Sequence, residues 1–152
     1  YISSKIDEVD AVLGGESSGG LTVRGHIHGK DSVYAASLFA EMVSVTGKSP
    51  AQLLDELKKE FGTFVMVEDD MRFAPEVKPM VNKTLMVDKL LPTFKDEIKR
   101  VNYEDGCKVY FEDGYVICRF SGTEPLLRIF AESTNSVRAK EYIDTFKKFL
   151  FN

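Results

Sequence analysis

The sequence has only two cysteines, Cys107 and Cys118, and two histidines, His26 and His28. Two cysteines are too few for a disulfide framework or a thiolate-only metal site. There is no surplus of positive charge either: 20 Lys and Arg stand against 24 Asp and Glu, a formal net charge of −4. Such a chain carries no general basic field for nucleic acid or an anionic membrane, so any anion site must be built locally. No apolar run approaches the ~18 residues that span a bilayer, and the opening Tyr-Ile-Ser-Ser-Lys has no signal-peptide organisation. A cytoplasmic protein with no membrane partner is the expectation. Internal repeats and low-complexity tracts are absent. What remains is a chain of 152 residues, 43% hydrophobic, long enough for one sizeable core or one domain with part of another.

Two parts are legible. The first, residues 1–47, runs from a short amphipathic stretch through "AVLGGESSGG" and a loop holding His26 and His28 into "DSVYAASLFAEMVSV". Val33, Ala36, Ala40 and Val43 fall there at helical spacing, with Asp31 or Ser32 as N-cap and Gly47 just past the end. One clear helix and one or two short strands are too little for an independent core. The second part, 48–152, opens on a well-marked helix: Ser49 as N-cap, Pro50 at the first position, Gln52 closing a capping box, and Leu53, Leu54, Leu57 and Phe61 as the apolar face. "TFVMVEDDMRF" then reads as a strand, and 83–91 as a short helix ending near Pro92. "IKRVNYED", "CKVYFEDGYVICRF" and "LLRIFAES" supply strands at meander spacing. A helix over 136–150 closes the chain, its apolar face Ala139, Ile143, Phe146 and Leu150. Asp113-Gly114 has the composition of a two-residue hairpin turn, in a register pairing Val109 with Cys118 and leaving Cys107 diagonal to it. Both cysteines read as reduced, half-buried strand residues. Helices segregated from an antiparallel sheet give an α+β domain.

The chemistry concentrates in "CRFSGTEPLLRIFAES". Ser121, Gly122 and Thr123 offer two hydroxyls and a run of backbone N–H groups, and glycine permits a turn that aims successive N–H groups at one anion. Arg119 and Arg128 leave the flanking strands, each with a planar fork that matches two phosphate oxygens. The plain alternative is an ordinary hairpin with two solvated strand-end arginines. A second stretch, "GGESSGGLTVRGHIHGKDS", matches G-x-S-x-G at Gly15 to Gly19. A nucleophile elbow needs an apolar strand running straight into a helix, with an acid and then a histidine later. Here more glycines follow, and no acidic residue lies between Ser17 and the histidines, so a serine hydrolase is disfavoured. Two alternating histidines with no third ligand nearby make a weak metal site.

"RFSGTEPLLRIFAE" closely resembles the C-terminal phosphate-binding loop of the α-D-phosphohexomutase superfamily, the phosphoglucomutases and phosphomannomutases. The pattern is arginine, one residue, Ser-Gly-Thr-Glu-Pro, then a second arginine. The resemblance places Arg119, Ser121, Gly122, Thr123 and Arg128 around a substrate phosphate. "GGESSGG" is similar to the family's Gly-Glu-Glu-Ser-Gly sugar loop, which assigns Glu16 and Ser18 to two neighbouring hexose hydroxyls. Ser17 stands where a second glutamate is common. "RGHIHGKDS" resembles the phosphoglucomutase branch, with Gly20 where the other branches have histidine and Ser32 in place of a glycine. By the same match His26 orients the loop, and Lys30 approaches the substrate or the reacting oxygen; the bland reading of Lys30 is a solvated lysine before a helix.

The resemblance covers the whole chain but only the last third of a four-domain enzyme. It implies that 1–47 is the end of the third, sugar-reading domain and 48–152 the fourth, with a four-stranded, mainly antiparallel sheet covered by helices on one face, similar to the TATA-box-binding protein. It further implies interconversion of hexose 1-phosphate and hexose 6-phosphate through a bisphosphorylated intermediate. Glucose 1,6-bisphosphate would serve as activator, and the N-terminal domains of the same chain would be the partner. Mg²⁺ would belong to the full-length enzyme. Neither a phosphoserine segment nor an aspartate-rich metal loop occurs in these residues, so no catalytic group other than Lys30 is expected, and the fragment should be inactive alone. The competing class is a stand-alone, non-catalytic module that binds phosphosugars or another protein. A nucleic-acid binder is disfavoured by the acidic balance.

Overall fold

The computed structural model describes residues 2–16, 19–27, 29–121 and 126–151. They form two compact units, Tyr1–Phe61 and Gly62–Asn152. The capped helix that begins at Pro50 thus groups with the first unit, whereas the sequence reading drew the division at 47/48.

In the first unit α1 (Ile2–Val9) packs on a two-stranded antiparallel ribbon of β1 (Leu13–Gly15) and β2 (Leu21–Val23). Helix α2 (Ser32–Thr46) starts where the Asp31 carboxylate accepts from the N–H groups of Val33 and Tyr34. It stops at Gly47, whose φ of 66° donates its N–H to Val43 O; both caps are those the sequence names. The capping box of α3 (Pro50–Phe61) is also formed, with Ser49 N donating to Gln52 Oε1 at 2.8 Å and Gln52 N to Ser49 Oγ at 3.3 Å. The expected apolar face of α2 is not the covered one. Val33 is 76% exposed, while Tyr34, Ala35 and Leu38 are half-buried. Apolar residues occur all round this helix, so the spacing selects no single stripe. Leu54, Leu57 and Phe61 are likewise exposed, and Ile6 is the one buried hydrophobic residue among those described in this unit.

The second unit is an α+β layer. Strands β3 (Val65–Arg72), β4 (Arg100–Asn102), β5 (Cys107–Phe111), β6 (Gly114–Phe120) and β7 (Leu126–Ser133) form one sheet in the order β3-β7-β6-β5-β4, antiparallel throughout. Five strands replace the expected four because Arg100–Asn102 adds a short edge strand beyond β5. One face carries Val109, Val116, Ile129 and Ala131 against α5 (Ser136–Phe151), whose Ala139, Ile143, Phe146 and Leu150 are buried as the spacing requires. Val81 and Leu85 close the core from α4 (Lys78–Asn82) and the π-helical turn Lys83–Val87. The helical segment therefore begins well before residue 83. Pro75 and Pro79 fall at first-turn positions, where a missing N–H costs nothing.

The β5–β6 hairpin departs from the expected register. Phe111 pairs with Gly114, Val109 with Val116, and Cys107 directly with Cys118. The loop is thus Glu112-Asp113, and neither residue has positive φ, so it is not the type I′ turn that Asp-Gly suggests. Gly114 is a strand residue facing Ser133 of β7, where a Cβ would lie 2.1 Å from Glu132 O. Both cysteines are free and fully buried, not half-buried. Burial pushes the Cys107 thiol up to about 11 and raises Cys118 as well. No described helix is long and apolar enough to cross a membrane.

Candidate functional site

Strands β6 and β7 converge on the loop 121–125. Ser121 N donates to Leu126 O at 2.8 Å and closes its neck. Gly122 and Thr123, two of the expected phosphate ligands, lie outside the described residues. Arg119 and Arg128 are brought together: they are register partners across β6 and β7. They alternate with Cys118, Leu127 and Ile129, which point to the core, so both guanidinium groups leave the sheet on its other face.

Like charges directly opposite one another destabilise a sheet, so the environment of this pair matters. Arg119 Nη1 is 2.8 Å from Asp105 Oδ2. Asp105 reaches it because Gly106, at φ +91°, presses the β4–β5 turn against β6; a Cβ at Gly106 would lie 2.4 Å from Cys118 O. Arg128 has no ion pair among the described residues, although Asp70 stands opposite it on β3. Lys78 Nζ sits 5.3 Å from the centre of the Phe120 ring, which packs against the core on the face opposite the arginines. Two guanidinium groups thus share one face at this neck, with a single carboxylate paired to them among the described residues. Sequence reasoning missed Asp105, since it meets Arg119 only through the sheet.

The first unit holds the second set. Glu16 N donates to Gly20 O at 2.9 Å and Gly19 N to Glu16 O at 3.0 Å, which holds Glu16 beside Gly19 and Gly20 at the end of the ribbon. Ser18, the other expected sugar ligand, is outside the described residues, as are Ser17 and His28. Lys30 Nζ lies 2.5 Å from Glu16 Oε2. Glu16, Gly20 and Lys30 line one small cleft with Gly14 and Thr22. His26 Nε2 lies 2.9 Å from Asp31 Oδ2, and its ring stacks on Tyr34 at 3.9 Å between centroids. The Tyr34 N–H first, and then His26, hold the Asp31 carboxyl below its ordinary range. His26 therefore ties the 24–30 segment to the start of α2. Among the described residues no three His, Cys, Asp or Glu side chains converge as a metal site.

Residues 1–61 match the family model for the α/β/α domain III of phosphoglucomutase/phosphomannomutase, and residues 65–148 that for the C-terminal domain of the same family. A phosphoglucomutase/phosphomannomutase of Thermococcus kodakarensis is 31% identical over 139 residues, 90% of this chain and 28% of that protein. A phosphoglucosamine/phosphogalactosamine mutase of Sulfurisphaera tokodaii is 26% identical over 97% of this chain and 30% of its own length. The crystal structure of a phosphoglucomutase/phosphomannomutase family protein from Burkholderia thailandensis superposes with a TM-score of 0.70 at 22% identity, over 98% of this chain and 30% of that one. The fold is shared with it, and the chain spans less than a third of the length of the relatives it matches.

Proposed function

The chain belongs to the phosphoglucomutase/phosphomannomutase family, and from that premise we propose that it is the substrate-gripping C-terminal part of a phosphohexomutase. The single observation that carries this reading is the cross-strand Arg119–Arg128 pair at the neck of the Ser121 loop, with one guanidinium left without an ion pair among the described residues. A phosphate dianion supplies the missing countercharge, and each fork can take two of its oxygens. Arg119, Ser121, Gly122, Thr123 and Arg128 bind the phosphate of the sugar; Glu16 and Ser18 bind two vicinal hydroxyls, one group accepting and the other able to donate or accept.

In the parent reaction a phosphoryl group moves between the 1- and 6-positions of a hexose through a bisphosphorylated intermediate such as glucose 1,6-bisphosphate. The phosphate loop holds whichever phosphate is not reacting while the sugar loop holds the middle of the ring. Such transfer rests on positioning and charge stabilisation, so groups remote from the reacting oxygen govern rate. A phosphoserine and Mg²⁺ would be supplied by other domains of the parent enzyme, and the described residues form no site to hold the metal. The chain alone is inactive on this view. An autonomous phosphosugar-binding module fits poorly with a first unit whose helices leave Val33, Val45 and Phe61 largely bare.

The test is an NMR titration of the labelled chain with glucose 1,6-bisphosphate, with glucose and a non-sugar anion of similar charge as controls. Saturable shifts at Ser121 and Arg128, weakened roughly tenfold to thousandfold in Arg119→Ala or Arg128→Ala through loss of charge-assisted bonds, are expected. Unchanged affinity in both variants would remove the assignment. In a full-length parent enzyme Arg119→Ala should lower kcat/KM by a similar factor.

A further inference from the structure

The face of the sheet away from α5 carries a second cationic group, on β4 and β5. Val109, Phe111 and Val116 point to the core, so Lys108, Tyr110, Tyr115 and Ile117, which alternate with them, lie on the other face. Register sets Arg100, Tyr110, Tyr115 and Glu132 in one row across four strands, and Lys108 beside Ile117 in the next. The Arg100 guanidinium carbon lies 4.1 Å from the centre of the Tyr110 ring. Lys108 Nζ lies 4.9 Å from the same ring and 3.7 Å from that of Tyr115. Among the described residues neither cation has an ion pair and neither phenol a hydrogen bond. Two like charges over one ring repel, and stacking at an exposed site is a weak attraction. A cation on an edge strand discourages edge-to-edge pairing, which accounts for Arg100. It does not account for Lys108, whose strand is paired on both sides.

We infer that the open face of β4, β5 and β6 is a docking surface for an acidic, extended segment of a protein partner, whose carboxylates pair with Arg100 and Lys108 and accept from the Tyr110 and Tyr115 hydroxyls. The cluster presents donors without acceptors, and a carboxylate is the acceptor such a set takes. Alternate side chains of an extended segment stand on one side, roughly 7 Å apart, a spacing that two cations over one tyrosine can meet. The rings hold both cations in place, so little side-chain freedom is lost on binding. A nucleic acid fits less well. Its bases need open ring faces, which the cations here occupy, and Glu132, Glu68 and Asp70 on β7 and β3 border the patch with acid on the same face. The surface does not depend on the Arg119 and Arg128 pair, one member of which is already held by Asp105.

The experiment titrates the labelled 152-residue chain with a capped peptide of alternating glutamate and threonine, and separately with its lysine and threonine counterpart and with oligouridylate. Saturable amide shifts at Arg100, Lys108, Tyr110 and Tyr115 are expected with the acidic peptide, weakening as salt is raised. Arg100→Gln and Lys108→Gln should each weaken binding about tenfold, and Lys108→Arg should keep it. Lys148→Gln, which removes a cation of α5 that has no ion pair among the described residues, should leave it unchanged. A loss of the same size in Lys148→Gln would reduce the effect to net charge and overturn the inference. Oligouridylate binding as tightly as the peptide, shifts confined to other residues, or no shifts would overturn it too. Glucose 1,6-bisphosphate in excess should not displace the peptide; displacement would move the peptide to Arg119 and Arg128, overturning this inference and leaving the phosphate grip standing.

Discussion

Gly114 offers a direct test of the hairpin register, because two explanations of the same glycine predict different outcomes. If Asp113-Gly114 were a two-residue turn, Gly114 would need positive φ. Alanine there would cost about 1–2 kcal/mol and asparagine, which tolerates the left-handed region, much less. In the structure Gly114 is instead a strand residue between Phe111 and Ser133. A Cβ would stand 2.1 Å from Glu132 O and 3.1 Å from Ser133 Cα. A relaxed C···O contact is about 3.3–3.6 Å, so β7 would have to retreat by roughly 1 Å at its end, loosening its ladder to β6. A backbone obstacle cannot rotate away as a side chain can. The cost should be about 2–4 kcal/mol for Gly114→Ala and no less for Gly114→Asn. The usual trend for strand glycines runs the other way, a gain of roughly 0.5–1 kcal/mol on replacement by alanine. Denaturant unfolding followed by circular dichroism reads this as a lower midpoint at constant slope. Gly114→Asn within about 0.5 kcal/mol of wild type, or a stabilised Gly114→Ala, would refute the reasoning.

Three further outcomes are expected. Ser133 is fully buried and its hydroxyl has no hydrogen-bond partner among the described residues, so Ser133→Ala should raise stability by about 1 kcal/mol in thermal unfolding, from removal of an unpaid desolvation; a clear loss would reveal a partner. Phe146, fully buried and edge-on to Phe94 at 5.4 Å, should cost about 3–5 kcal/mol when cut to alanine. Asp96 accepts from Arg138 Nε and Nη2 at 2.9 and 2.7 Å and from Tyr142 OH at 2.5 Å, and these bonds, Arg138's first, hold its carboxyl at about 2. A lowered folded-state value means stability fully present above the unfolded pKa of about 3.9 and lost as pH falls through about 2. The midpoint gap between wild type and Asp96→Asn should therefore be wide at pH 5 and close by pH 2; a gap independent of pH would dismiss the linkage.

What the sequence discloses and what it withholds follow from the range of the interactions. Helix ends are local: Ser49 and Gln52, Asp31 and Gly47 are each within a turn of the group they bond, and each is where its residue type requires. The inward face of α5 is likewise written in its spacing. Hairpin register is different. A slip of one residue would turn every side chain to the wrong face, but a slip of two preserves Cys107, Val109 and Phe111 as inward, so the apolar pattern cannot separate Val109 opposite Cys118 from Val109 opposite Val116. The decision belongs to β7, whose Glu132 carbonyl must pass beside Gly114. The same limit applies to the site. The string around Ser121 leads the sequence reading to expect an anion loop, yet the Asp105 carboxylate on Arg119 depends on how the β4–β5 turn folds onto β6.

The distribution of charge across the second unit bears on why the two arginines are where they are. Lys147 pairs with Asp69, Arg138 with Asp96, Lys95 with Glu141 and Lys99 with Glu97; these cations are neutralised by acids the fold brings to them. Pairing is not universal, since Arg72, Arg100, Lys108 and Lys148 have no ion pair among the described residues, but at the neck of the Ser121 loop two cations are cross-strand neighbours. Arg119 and Arg128 are set opposite each other, with Asp105 on one of them. Cross-strand repulsion is a cost, and neither arginine recovers it by filling the core, since both leave the sheet on the face away from α5. Among the described residues Asp70 is the acid opposite Arg128, and it is not drawn into a pair. A like-charged cross-strand pair with one carboxylate among the described residues, in a chain that is acidic overall, is the arrangement on which the proposed phosphate grip rests.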